Sequence, residues 1–168
     1  MIGEPLFDAN AIATRVAQLA TEISRDYAGL TPLLVGLAKT PFFTDLAAAI
    51  SIPCELDAVA VNRYGDAPGI ELAKDAVAAI AGRHVIVVDA TIDTGLTLQY
   101  VVKRLFERNP ASLAVCALLD RPHRRIADVE VKYRAFEAPD VYLVGYGLDY
   151  FGRYRELPAL YAHGTWPR

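Results

Sequence analysis

Sulfur and indole side chains are scarce in this 168-residue chain, which holds two cysteines, one methionine and one tryptophan, with three histidines beside them. Cys54 and Cys116 lie in apolar, strand-like surroundings. They read as buried thiols of a reducing cytosol rather than as a disulfide framework. No Cys-x-x-Cys spacing accompanies the histidines, which argues against a zinc site. No apolar run reaches the roughly 18 to 20 residues of a membrane span, and "MIGEPLFDANAI" lacks a basic-then-apolar signal pattern. A cytoplasmic protein with no membrane partner is expected. Basic charge is not in excess: 17 Lys and Arg stand against 20 Asp and Glu, for a net charge of -3, so nothing supports a nucleic-acid partner. Gly-Lys-Thr/Ser and Gly-x-Gly-x-x-Gly are both missing, which removes the Walker A and dinucleotide loops.

What remains is a chain 54% hydrophobic and 22% charged, long enough for one domain with a real core and expected to form a single domain over 1–168. Asp8 to Arg25 reads as a helix, with Asp8 as cap and Ile12, Val16, Leu19 and Ile23 at helical spacing. A short apolar strand spans Leu33 to Leu37, and "PFFTDLAAAI" follows as a helix with Pro41 near its start. "CELDAVAVN" is rich in β-formers in its second half, and Arg63 to Glu71 reads as a mobile loop. "HVIVV" is a strand, "LTLQYVVKRLFERN" an amphipathic helix, "SLAVCALL" a strand, "RPHRR" a basic loop and "VYLVGYG" a last strand. Wholly apolar strands alternating with helices indicate an α/β protein with a mostly parallel sheet covered on both faces.

Ligands of such sheets bind at the carboxyl ends of the strands, so the residues after Val85 to Val88 are the place to look. There the chain reads "DATIDTGLTL". Gly95 allows close backbone approach, Thr94 and Thr97 offer hydroxyls, and a helix starting near Leu96 presents unpaired N–H groups to an anion. The same turn also suits an ordinary strand-to-helix connection with Asp93 or Thr94 as N-cap.

The strand, acid and "DTGLTL" resemble the phosphoribosyl-diphosphate segment of type I phosphoribosyltransferases. "LLDRPHRR", "FEAPDVYLVGYGLDY" and "YRELPALY" are similar to the purine-binding end of hypoxanthine-guanine phosphoribosyltransferases, with "FFTDLAAAI" and "RYGD" similar to that family's second helix and flexible loop. The likeness runs from about Leu33 to Tyr161. It implies a type I phosphoribosyltransferase core with a small hood from the two chain ends, phosphoribosyl diphosphate and a purine-like base as substrates, Mg²⁺, and a dimer or tetramer. It also implies roles. Asp93 would assist proton removal from the base. Asp89, Thr94, Gly95, Leu96 and Thr97 would hold ribose and 5-phosphate. Arg121, Tyr142 and Leu143 would meet the base, with Tyr142 stacking. Asp149 would be a magnesium ligand, Arg155 a cation for diphosphate, and Tyr64 would close over the site. Taken without the resemblance, Asp149 and Arg155 read as a solvated surface pair and Tyr142 as core packing.

The departures from that pattern cluster around one ligand. Ala90 stands where a second acid would accompany Asp89. Leu37 and Ala38 occupy the place of a Lys-Gly pair, and Lys39 two places later is the nearest substitute. Arg63 precedes Tyr64 where serine is usual, and Arg121 replaces the lysine that reads the base. These losses also allow a non-catalytic nucleotide-binding or regulatory module on the same fold.

Overall fold

The computed structural model describes residues 3–37, 40–63 and 69–164 and is built around a five-stranded parallel sheet. In chain order its elements are β1 (Pro5–Phe7), α1 (Ala9–Asp26), β2 (Leu33–Gly36), α2 (Pro41–Ala49), β3 (Glu55–Ala58), β4 (Ala60–Arg63), β5 (Ile70–Lys74), β6 (His84–Ile92), α3 (Leu96–Phe106), β7 (Ser112–Asp120), β8 (Tyr133–Glu137), β9 (Leu143–Val144) and β10 (Leu160–Ala162). The main sheet has the order β3-β2-β6-β7-β8, with every pairing parallel. β2 and the first half of β6 are central and buried on both faces, which is why Leu33 to Gly36 and Val85 to Val88 carry no alternation.

One face of the sheet is covered by α1 and α2. Asp8 caps α1 by accepting from Ala11 N–H at 2.8 Å, and Ile12, Val16, Leu19 and Ile23 are buried against Leu34, Ile86, Val88 and Cys116. The other face is covered by α3, whose Leu98, Val101 and Leu105 pack on Val85, Val87 and Val115. Beyond the sheet, β1, β10 and β9 form a small antiparallel sheet, so the first and last described segments build the hood together.

Several boundaries differ from the sequence expectation. The "VYLVGYG" strand shrinks to Leu143–Val144, followed by turns in which Gly145 and Gly147 have positive φ. The expected loop from Arg63 to Glu71 is trimmed, because Arg63 ends β4 while Ile70 and Glu71 start β5, the two strands pairing as an antiparallel ribbon. β1, β8 and β10 were not anticipated; two have three residues each, and β8 is a charged edge strand, "YRAFE".

Tyr133 of β8 ties the sheet edge to the end of α1, donating to the Asp26 carboxylate at 2.8 Å. That hydrogen bond, followed by one from Arg25, holds the Asp26 carboxyl below its ordinary range against the opposing effect of burial. Burial, and then Asp26, push the Tyr133 phenol up, so it remains a neutral donor. A carboxyl depressed in the folded state contributes stability above its unfolded value of about 3.9, and this contribution is lost as pH falls through the folded value. Urea denaturation from pH 7 down to pH 3 should therefore show Asp26→Asn to be less stable than wild type at pH 7 and flatter on the acid side. Parallel acid limbs would count against this linkage.

Candidate active site

β6 does not stop at Val88. It pairs with β7 as far as Ile92 opposite Asp120, so Asp89, Ala90 and Thr91 are strand residues rather than the start of the turn. The side-chain period of two then separates them: Asp89 and Thr91 are half-buried and line a cavity, while Ala90 is 3% exposed and does not. Asp89 accepts from the Ala90 N–H at 2.7 Å.

After Ile92 the chain turns through Asp93, Thr94 and Gly95 into α3. The N-cap is Gly95, at φ 81°, and neither Asp93 nor Thr94 supplies a capping side-chain bond; Thr94 Oγ1 only meets Leu96 N–H at 3.5 Å. With no side-chain bond from its N-cap, the start of α3 presents the dipole end of a helix, an environment that favours an anion. Gly95 is required twice over, by its left-handed φ and because a Cβ there would sit 2.7 Å from Arg125 Cδ.

The cavity above this turn has a volume of about 580 Å³. The end of β6 and the turn into α3 line it with Asp89, Thr91, Ile92, Asp93, Thr94, Gly95, Thr97 and Leu98, joined by Leu37, Val61 and Arg124. A second pocket of about 210 Å³ adjoins it and shares Thr91 and Asp93. Arg121, Tyr142, Leu143, Leu148 and Asp149 complete that pocket. Leu96 is 45% exposed and contributes backbone rather than side chain to this region.

Arg121, at the end of β7, has a side chain only 3% exposed. Its Nη1 donates to Asp93 Oδ1 at 2.6 Å, its Nη2 to the Val141 carbonyl at 3.0 Å and its Nε to the Pro139 carbonyl at 3.3 Å. Tyr142 donates its hydroxyl to the Asp149 carbonyl at 2.7 Å and packs edge-on against Tyr150. Burial first, then the Asp149 charge, raise its phenol. Asp149 accepts from Arg155 at 2.8 Å and from Gly152 N–H at 2.6 Å, and Arg155 also donates to the Gly147 carbonyl at 2.8 Å. The structure thus gathers Asp89, Thr94, Gly95 and Thr97 at the large cavity, Arg121, Tyr142, Leu143 and Asp149 at the small one, and Asp93 at both. Arg155 reaches the site through Asp149. Lys39 and Tyr64 lie outside the described residues.

Four residues of this region carried no separate expectation. Thr91 was readable as the next outward position after Asp89 by simple alternation, and Arg124 sits in the basic loop already noted. Asp120 and Arg125 had no local signal, since their pairing depends on the fold. Asp120 is 4% exposed and bonded to Arg125, with Arg134 at 3.2 Å from its other oxygen.

The sheet order, the hood and the turn after β6 are those of the type I phosphoribosyltransferase fold. The family model of the phosphoribosyl transferase domain matches residues 3–150, and the chain belongs to this family. It is 40% identical over 164 residues to hypoxanthine-guanine phosphoribosyltransferase of Mycobacterium bovis, covering 90% of this chain and 81% of that one. It is 36% identical to the Bacillus subtilis protein of the same name, covering 94% and 91%. A crystal structure of a hypoxanthine-guanine phosphoribosyltransferase from Bacillus anthracis superposes with a TM-score of 0.92 at 33% identity, over 97% of this chain and 99% of that one.

Two substitutions probe the parity of β6. Ala90→Asp places a carboxylate at a buried position, where an unpaired charge is strongly unfavourable. It should destabilise the ligand-free protein by roughly 2 kcal/mol or more without tightening phosphoribosyl diphosphate. Calorimetric titration showing tighter binding would place residue 90 in the cavity instead. Thr91 Oγ1 is closed to solvent and has no hydrogen-bond partner among the described residues. The isosteric Thr91→Val removes an unsatisfied hydroxyl and should raise stability by about 1 kcal/mol; a decrease in urea denaturation would show that the hydroxyl is bonded.

Proposed function

We propose that this chain transfers the phosphoribosyl group of phosphoribosyl diphosphate to a purine, hypoxanthine or guanine, and releases diphosphate. The observation that carries the reading is the junction of the two cavities at Asp93. A base in the smaller pocket and a phosphoribose in the larger one would meet beside one carboxylate.

In this reading the 5-phosphate occupies the first turn of α3, bound by backbone N–H groups and by the hydroxyls of Thr94 and Thr97. Asp89, lining the larger cavity, accepts from a ribose hydroxyl. Tyr142 offers a ring face to the base and Leu143 an apolar contact. The bond from the anomeric carbon to the diphosphate oxygen breaks as the bond to the purine ring nitrogen forms, and Asp93 takes the proton that this nitrogen releases. Arg121 fixes the Asp93 carboxylate through one oxygen, leaving the other for that proton, and itself lines the base pocket. Holding both reactants beside one carboxylate turns a bimolecular encounter into an oriented one.

The residues present also fit magnesium. The Asp149 carboxylate lines the smaller pocket and accepts from Gly152 N–H on one oxygen and from Arg155 on the other, and a carboxylate oxygen can accept more than one such contact. A single carboxylate completed by substrate oxygens and water is a usual magnesium environment. The ion, when bound, would offset the charge of the departing diphosphate. Lys39, Tyr64 and Arg155 are assigned by the resemblance to the diphosphate and the closing loop, the chain acting as one domain in a dimer or tetramer.

Incubation with magnesium, phosphoribosyl diphosphate and a purine panel should give the matching nucleoside monophosphate by mass spectrometry. Asp93→Asn should lower turnover by about 10²- to 10⁴-fold, the range for loss of a general base, while nucleotide binding persists. Normal turnover in the variant would remove Asp93 from the proton transfer. A wild type that binds nucleotide yet forms none from any purine would favour a regulatory pocket.

A further inference from the structure

The phosphate-binding turn offers N–H groups and hydroxyls, but the cavity above it also contains two carboxylates, Asp89 and Asp93. A sugar phosphate carrying a dianion needs positive charge there. Among the described residues lining this cavity, Arg124 is the one cation. It stands on the short 3-10 turn Pro122–Arg124, directly before the segment whose Ile126 and Ala127 N–H groups both bond the Thr94 carbonyl at 3.0 Å. The segment that follows Arg124 is therefore stitched to the turn that opens α3. Its guanidinium Nη1 donates to Asp140 at 2.7 Å, in a pair whose side chains are 33% and 61% exposed. Such a solvated pair holds its cation loosely, and a phosphate dianion at a helix N-terminus is the stronger partner for a planar fork of N–H donors.

We infer that Arg124 is a binding residue for the 5-phosphate of the ligand, exchanging Asp140 for the phosphate when the site fills. The inference rests on the phosphoribosyltransferase reading above and adds a residue that the resemblance did not assign. It assigns Asp140 a part as well, as the carboxylate that keeps Arg124 beside the cavity when no phosphate is present.

Titration calorimetry with inosine 5′-monophosphate, and separately with ribose 5-phosphate, tests it on wild type, Arg124→Gln, Arg124→Lys and Asp140→Asn. Arg124→Gln should weaken both ligands by about tenfold, the scale of one charge-assisted contact, with an unchanged melting temperature. Arg124→Lys should recover a good part of that loss, because the charge rather than the packing is what the phosphate meets. Asp140→Asn should tighten both ligands by releasing the competitor. Equal affinity of wild type and Arg124→Gln overturns the inference while leaving the parent reading intact, and so does a loss confined to inosine 5′-monophosphate. A wild type that binds neither ligand takes down both.

Discussion

The Asp93 carboxylate meets the Arg121 guanidinium at 2.6 Å, while its backbone carbonyl accepts from Arg125 Nε at 3.1 Å. Both arginines belong to the loop leaving β7, and the same loop bonds the Ile92 carbonyl through Arg121 N–H and the Thr94 carbonyl through Ile126 and Ala127. Every carbonyl from Ile92 to Thr94 is thus held by one neighbouring segment. The turn that lines the cavity is fixed by this segment rather than by a side-chain bond from its N-cap, Gly95. Arg125 is anchored in turn by Asp120, a buried carboxylate that Arg134 also reaches. Removing one partner from such a buried set leaves an uncompensated charge, typically costing about 3–5 kcal/mol, so the set acts as a unit.

Sequence reading served best where the signal is local. Asp8 as cap and the 3.6-residue recurrence through Ile23 give α1 almost to the residue, and the apolar runs at Leu33 and Val85 give the two central strands. It failed where contacts are remote. β1 exists because Phe7 meets Leu160 and Pro5 meets Tyr161, pairings across most of the chain that three-residue segments cannot announce. It also stopped β6 too soon, because an acid after four apolar residues looks like a turn. The ladder with β7 continues past that acid since Leu119 and Asp120 still offer partners to Thr91 and Ile92. The site residues were found largely by resemblance. Their supports, Asp120 and Arg125, were invisible because neither makes sense except across the loop.

Arg121 shows why the exchange from lysine is more than a change of length. A lysine ammonium is a compact point charge. The guanidinium spreads its donors over Asp93, the Pro139 carbonyl and the Val141 carbonyl, three groups in different directions. Arg121 therefore joins the β6 turn to the segment that presents Tyr142, so the acid shared by the two cavities and the aromatic of the smaller one are positioned by one side chain. The cation that the resemblance assigns to the base is also a brace of its pocket.

The same logic bears on Ala90. In β6, Ile86 and Val88 point into the α1 and α2 side of the core, and residue 90 follows them by parity, whereas Asp89 and Thr91 follow Val85 and Val87. A carboxylate at 90 would have to be buried on that side or else break the strand before Ile92. A small apolar residue does neither, and it lets the β6–β7 ladder run to the last position before Asp93. Because that ladder sets the height of Asp93 against Arg121, the missing second acid and the fixed first one are linked: what the ribose side of the cavity lacks in carboxylates, the junction with the base pocket gains in a rigidly held one.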